Sequence, residues 1–283
     1  MEVPQNLSRE LEVARAVARE AAALVATLAG QPLEVRHKAE GEPVSRADLE
    51  SSDLIVRRLA EAFPDDAILS EEMPDTPTRL RNPRVWMIDP IDGTRDFLRG
   101  ESGYSVMIGL CVAGRPALGV VAQPATGDVW LGVVGHAAWK ELSGGGRQDL
   151  RVSRVRTAND IRLVASKSNR TEYYARFCRA LGITDDLAQG SVGLKVALVA
   201  QGSRDLYVYP GGHTKVWDSA APEAILAAAG GKITDTHGNV LCYDRPDPRH
   251  PRGILASNGL VHEAALAAAA RLRAEAESTQ ARG

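Results

Sequence analysis

The most constraining feature of the chain is Val85-Trp86-Met87-Ile88-Asp89-Pro90-Ile91-Asp92-Gly93-Thr94, an apolar run that breaks off at two carboxylates three residues apart. The run from Val85 to Ile88 reads as a short buried strand. Pro90 holds Asp89 in an extended backbone, and Gly93 allows a tight turn whose following N–H groups can face an anion. A strand that ends this way can gather cations and a phosphate in one place; a plainer reading makes Asp92 the cap of the next segment. The short strand Ala67–Ser70 ends just as abruptly, in Glu71 and Glu72. If the two strands pair, their acidic ends meet and repel unless a cation lies between them. The candidate ligands are hard oxygens, with no His or Cys in reach of the motif, so the expected ion is Mg²⁺, or Mn²⁺, rather than zinc. Taken alone, Glu71-Glu72 also fits a solvated loop.

Two further acids sit at helix starts. Asp48 follows Ser45 in capping-box form, ahead of a helix with Leu49, Ile55, Val56, Leu59 and Phe63 on one face that stops at Pro64. Asp218, in Trp217-Asp218-Ser219-Ala220-Ala221, opens a helix of small residues. Capping by itself accounts for both. Around these motifs the periodicity predicts a helix from Leu7 to Leu28 and a strand meander over Tyr104–Val112, Pro116–Gln123 and Asp128–Val134. Beyond the turn Ser143-Gly144-Gly145-Gly146, strands at Arg162–Ala165, Leu206–Tyr209 and Lys232–Thr234 alternate with helices at Arg170–Leu181, Val192–Gln201 and Asp218–Ala229. An amphipathic helix over Leu260–Leu272 closes the chain. The expected organisation is an N-terminal α+β part over 1–142 carrying most of the acids, and a C-terminal α/β part over 143–283 with a parallel or mixed sheet.

Composition removes several classes. Lys+Arg 34 against Asp+Glu 36 leaves a formal charge of −2 over 283 residues, so no broad positive field draws in nucleic acid. Hydrophobic content of 44%, charged content of 25% and a mean hydropathy of −0.18 fall in the globular range. Cys111, Cys178 and Cys242 are far apart and form neither a disulfide framework nor a zinc pattern. The start Met1–Asn6 lacks the basic and apolar stretches of a signal peptide, and no segment is long and apolar enough for a membrane span, so the expected location is the cytoplasm.

Pro43-Val44-Ser45-Arg46-Ala47-Asp48, Ser70-Glu71-Glu72, Asp89-Pro90-Ile91-Asp92-Gly93-Thr94 and Trp217-Asp218-Ser219-Ala220-Ala221, in this order, resemble the signatures of the inositol monophosphatase superfamily of lithium-sensitive phosphatases. The resemblance spans nearly the whole chain. It implies an α/β fold, a layered αβαβα sandwich, and a site holding two or three Mg²⁺ ions. Glu71, Asp89, Asp92, Asp218 and the main-chain carbonyl of Ile91 become metal ligands. Gly93 and Thr94 contact phosphate, while Asp48, Thr94 and Glu71 orient the attacking water. The implied partner is a small phosphomonoester, and the implied assembly a monomer or homodimer. In the C-terminal half, Gly190-Ser191-Val192-Gly193-Leu194-Lys195 and the stretch from Trp217 to Leu226 are most similar to the 3′(2′),5′-bisphosphate nucleotidase branch. Tyr209 to Lys215 contains no acid of the kind inositol phosphatases use for substrate hydroxyls, so Lys195 and Lys215 are expected to suit a second phosphate, with Ser191 also among the substrate-binding residues. The implied substrate is 3′-phosphoadenosine 5′-phosphate. Ile91 and Phe97 are also usual in inositol phosphatases, which makes inositol-1-monophosphatase or a related sugar phosphatase the alternative.

Other chemistries fit less well. A haloacid-dehalogenase phosphatase also ends a strand in Asp-Gly-Thr, but in that register its nucleophilic Asp would fall on Pro90. Ser143-Gly144-Gly145-Gly146-Arg147 follows no expected strand and lacks the Lys-Ser/Thr ending of a P-loop. His213 reads as a surface histidine. Ser166, Ser168 and Asn169 either cap the following helix or line a pocket. A non-catalytic phosphate sensor on the same fold would be free to lose a metal ligand, and every expected ligand is present.

Overall fold

The computed structural model describes residues 7–31, 34–38, 41–167 and 170–280. Helix α1 (Ser8–Leu28) precedes a short hairpin of β1 (Val35–His37) and β2 (Pro43–Ser45), which runs directly into α2 (Arg46–Ala62). Strands β3 (Ala67–Ser70) and β4 (Arg84–Asp92) lead to the five-residue helix α3 (Thr94–Leu98). A meander follows through β5 (Ser105–Val112), β6 (Arg115–Gln123), β7 (Asp128–Val133), β8 (Ala137–Glu141) and β9 (Arg147–Asp149). The remainder alternates: β10 (Arg162–Ser166), α4 (Glu172–Leu181), β11 (Asp185–Gln189), α5 (Val192–Ala200), β12 (Leu206–Tyr209), α6 (Val216–Ala228), β13 (Lys232–Thr234), β14 (Ile254–Ser257) and α7 (His262–Gln280).

The first sheet has the order β3-β4-β5-β6-β7-β8-β9 and is antiparallel except for the parallel pair β3 and β4. The second has the order β11-β10-β12-β14-β13, parallel from β11 to β12 and antiparallel around β14. Strand alternation assigns each face to a layer. On β5, Val106, Ile108 and Leu110 pack with Val17 of α1 and Ile55 of α2, whereas Met107 and Cys111 face Leu194 of α5 and Ala220 of α6. On β12, Tyr207 faces that same middle layer, while Leu206 and Val208 meet Phe177 of α4 and Ala265 of α7. The result is the expected αβαβα sandwich.

Helix α6 lies flush on the first sheet because three strands carry glycine in one row. Gly109 pairs with Gly119, and Gly119 with Gly132. A Cβ on Gly109 would stand 2.7 Å from the main-chain nitrogen of Ala221, and one on Gly119 would run into the Ala221 carbonyl oxygen. Main chain cannot swing aside as a long side chain can. Gly119→Ala is therefore expected to cost about 3 kcal/mol, the upper end of overpacking penalties. The check is a fall in the denaturant midpoint at unchanged m-value; an unaltered midpoint would refute the close approach.

Two expectations need correction. The first sheet runs to Asp149, past the division expected at 142/143, and the middle layer is built from α5 and α6 of the second half. Ser143 to Gly146 is a turn, as expected, and it joins β8 to β9: Gly145 N–H donates to Leu142 O at 3.0 Å, and Gly145 and Gly146 have φ of +90° and +98°. Strands β1, β2, β8, β9, β11 and β14 were not foreseen. Most are short or polar, such as the wholly exposed β9, so they carry no strong alternation. Ser168, Asn169 and Met1–Asn6 lie outside the described residues.

Candidate active site

The site forms where β3, β4, α2, α3, α5 and α6 converge. Parallel pairing sets Ser70 opposite Ile88, and the Glu71 N–H donates to Ile88 O at 3.1 Å, so the two acidic strand ends do lie side by side. On β4, Met87 faces the middle layer and Asp89, two residues on, shares that face. The β4–β5 register then shifts between Asp89 and Asp92. Asp89 Oδ1 accepts from the Ile91 N–H at 3.0 Å, and Ser51 of α2 donates to the Pro90 carbonyl at 3.1 Å, which pins the turn. Gly93 has φ +96°, and a Cβ there would meet Gly103 O at 2.8 Å, so only glycine fits.

Carboxylate oxygens of Asp89, Asp92 and Asp218 all lie within 4.8 Å of one another. Asp218 is the third residue of α6, and its Oδ2 accepts from the Lys215 N–H at 2.6 Å. The helix therefore starts two residues before the expected position, with Lys215 rather than Asp218 as its cap, and Asp218 points back toward the first sheet's acids. Asp92 Oδ2 accepts from Ser191 Oγ at 2.5 Å and from the Gly193 N–H at 2.9 Å, tying α5 to the end of β4. Asp48 is buried at the third position of α2, as its capping box predicts. Its Oδ2 accepts from Ser45 N–H and Oγ, and its Oδ1 lies 3.1 Å from Thr94 Oγ1. Thr94 Oγ1 is also 3.0 Å from the Ile91 carbonyl.

Burial raises the pKa of Asp89 well above 3.8, and the charges of Glu71, Asp92 and Asp218 add to the rise. Asp218 is raised by burial and by Asp92 and Glu71, and Asp92 by burial, opposed by Lys195. Burial also raises Asp48, against its hydrogen bonds to Ser45 and Thr94. These acids cannot all ionise without a counter-charge. A buried group of hard oxygens with mutual repulsion is suited to hold a cation of the Mg²⁺ type. Part of the counter-charge is built in: Lys38 Nζ bonds Glu71 at 2.8 Å and Glu72 at 2.7 Å. Burial still pushes Glu72 up to about 7.

A cleft of about 540 Å³ opens over these groups. Glu71, Asp89, Ile91, Asp92, Gly93, Thr94, Ser191, Lys195 and Asp218 all line it. Asp48 stands behind Thr94. Lys195 is buried, and its ammonium bonds the Gly190 carbonyl beside Asp92. Lys215 is turned to Glu42 at 3.3 Å and lies over the Trp217 ring. Sequence reasoning missed Lys38, Arg95, Arg99 and Lys167. It also took His213 for an ordinary surface residue, whereas it lines the cleft. The only advance signal for the arginines was their i, i+4 spacing after Thr94.

The sequence model of the inositol monophosphatase family matches residues 6–275. The 3′(2′),5′-bisphosphate nucleotidase CysQ of Salmonella typhimurium is 36% identical over 214 residues, covering 75% of this chain and 84% of the relative. Histidinol-phosphatase of Streptomyces coelicolor is 34% identical over 242 residues, covering 83% and 86%. Among solved structures, an IMPase of Thermotoga maritima superposes with a TM-score of 0.80 at 25% identity, covering 94% of this chain and 98% of that one. No helix among the described residues is long and apolar enough to cross a membrane.

Proposed function

This chain belongs to the inositol monophosphatase family and is a phosphomonoester hydrolase, and on that premise we propose that it hydrolyses 3′-phosphoadenosine 5′-phosphate to AMP and phosphate. The observation that carries the reading is the 36% identity to CysQ nucleotidases over three quarters of the chain. The absence of any acid from Tyr209 to Lys215 supports it, since inositol hydroxyls would find no carboxylate acceptor there.

In this reading Glu71, Asp89, Asp92, Asp218 and the Ile91 carbonyl hold two or three Mg²⁺ ions, which when bound neutralise phosphoryl charge and lower the pKa of a water. With the Ile91 carbonyl serving as a ligand, Thr94 Oγ1 would donate its one hydrogen bond to Asp48 Oδ1, leaving its lone pairs to accept from the attacking water. Glu71 would accept a second hydrogen bond from that water. The N–H groups following Gly93 meet phosphate oxygens. Ser191 keeps Asp92 oriented and closes the wall of the cleft. Inhibition by Li⁺ and a cytoplasmic location belong to the same reading.

The histidinol-phosphatase relative, which matches more of the chain, favours a second reading in which the leaving alcohol is histidinol. A phosphate-release panel at fixed Mg²⁺ separates them: 3′-phosphoadenosine 5′-phosphate, histidinol phosphate, inositol 1-phosphate and fructose 1,6-bisphosphate. The nucleotide is expected to give the highest kcat/KM. A higher value for histidinol phosphate or inositol 1-phosphate would replace the nucleotidase reading, and no release from any ester would favour a sensor.

A further inference from the structure

Arg79 is the one arginine buried among the described residues, with a side-chain exposure of 2%. It sits in a 3₁₀ turn (Pro77–Arg81) between the acidic end of β3 and the start of β4. Its Nε and Nη2 donate to the two carboxylate oxygens of Asp75, at 2.7 and 2.8 Å, and Nη2 also donates to the Arg245 and Pro246 carbonyls, at 3.0 and 3.3 Å. Asp75 follows Glu71 by four residues. One side chain thus joins the loop after β3 to a segment 166 residues further along the chain.

That segment carries the start of α6. Pro248 O accepts from the Val216 N–H at 2.8 Å, and the His250 N–H donates to Thr214 O at 2.7 Å. Arg249 forms an antiparallel bridge with Lys215, and His250 Nε2 lies 2.7 Å from Ser219 Oγ. These contacts bracket Asp218 on both sides. The charge of Glu71 adds to the rise in the Asp218 pKa, so without a cation the two carboxylates push α6 and the end of β3 apart. A buried guanidinium fork holding both elements opposes that push, and its rigid planar geometry fixes their spacing. We infer that Arg79 is a positioning residue, which keeps the Asp218 end of α6 at the distance from Glu71 where both carboxylates can take a divalent cation. This inference rests on the metal-site reading above and extends it to a residue outside the cleft.

Calorimetric titration with Mg²⁺ alone tests it. Arg79→Met should weaken Mg²⁺ binding about tenfold, the effect of losing a group that orients metal ligands. Turnover of the best panel ester at saturating Mg²⁺ should change little, so the loss falls on metal affinity rather than kcat. Arg79→Lys retains the charge without the fork and should bind Mg²⁺ with intermediate affinity. Arg84→Met is the control for lost stability. Arg84 is half-buried and bonds Asp66 and Glu10, but it stands at the opposite end of β4 from Asp89 and Asp92. That variant should lower the melting temperature and leave Mg²⁺ affinity unchanged. Wild-type affinity in Arg79→Met, or an equal loss in Arg84→Met, would overturn the positioning role. If Arg79→Met does not fold, wild-type affinity in Arg79→Lys overturns it instead. A wild-type protein that takes up no Mg²⁺ would sink the metal-site reading itself, and the role of Arg79 with it.

Discussion

Asp89→Asn is expected to lower kcat/KM at least about a thousandfold, since several kcal/mol of charge stabilisation depend on the ions this carboxylate would share. The fold should survive, because asparagine has the same shape and can still accept from the Ile91 N–H as Asp89 does at 3.0 Å. Metal-free stability should rise. Asp89 is buried and its folded pKa lies above the unfolded value of 3.8 through burial and the charges of Glu71, Asp92 and Asp218. The native state therefore binds more protons than the unfolded chain above that value, and this group's contribution is fully present below it and lost as pH rises. The melting-temperature advantage of the variant over metal-free wild type should accordingly grow as pH rises above about 4. Mg²⁺ should raise the melting temperature of the wild type and leave the variant nearly unmoved, because ligand binding stabilises only a state that binds it. Normal turnover at saturating Mg²⁺, or an equal thermal shift in both proteins, would remove Asp89 from the metal site.

Thr94→Val should reduce kcat by about a hundredfold to a thousandfold with little change in KM. Valine keeps the volume and branching of threonine but deletes the one hydroxyl lying within reach of both Asp48 Oδ1, at 3.1 Å, and the Ile91 carbonyl, at 3.0 Å. A water could then still enter the site but would no longer be aimed. Thr94→Ser retains the hydroxyl and should recover most of the rate. If the Thr94 hydroxyl only holds the turn into α3 through Asp48 and the Ile91 carbonyl, the valine variant will lose stability and keep its kcat.

Much of this site was legible in the linear sequence because its parts are short-range. Alternation along β4 fixes the face on which Asp89 sits, and Pro90 and Gly93 fix the turn after it. The box at Ser45 and Asp48 closes within one turn of helix, and its bonds are present as the spacing predicts. Asp218 was expected as a metal ligand, but its helix was expected to open at it rather than at Val216. Distinguishing the first from the third helical position depends on where the Lys215 N–H points, and composition says nothing about that.

The sequence by itself determined the element types that carry the acids, the hard-oxygen chemistry and the family, all set by residues within a few positions of one another. Only the tertiary structure decided how close α6 lies to the first sheet, through a glycine row spread over three strands. It alone decided which partners the lysines meet. Lys195 and Lys215, expected as substrate ligands, bond the Gly190 carbonyl and Glu42, while Lys38 crosses from the hairpin to Glu71. A charged side chain turns toward whatever partner the packed backbone brings within a few ångströms, and that partner can lie more than a hundred residues away, beyond the reach of any local pattern.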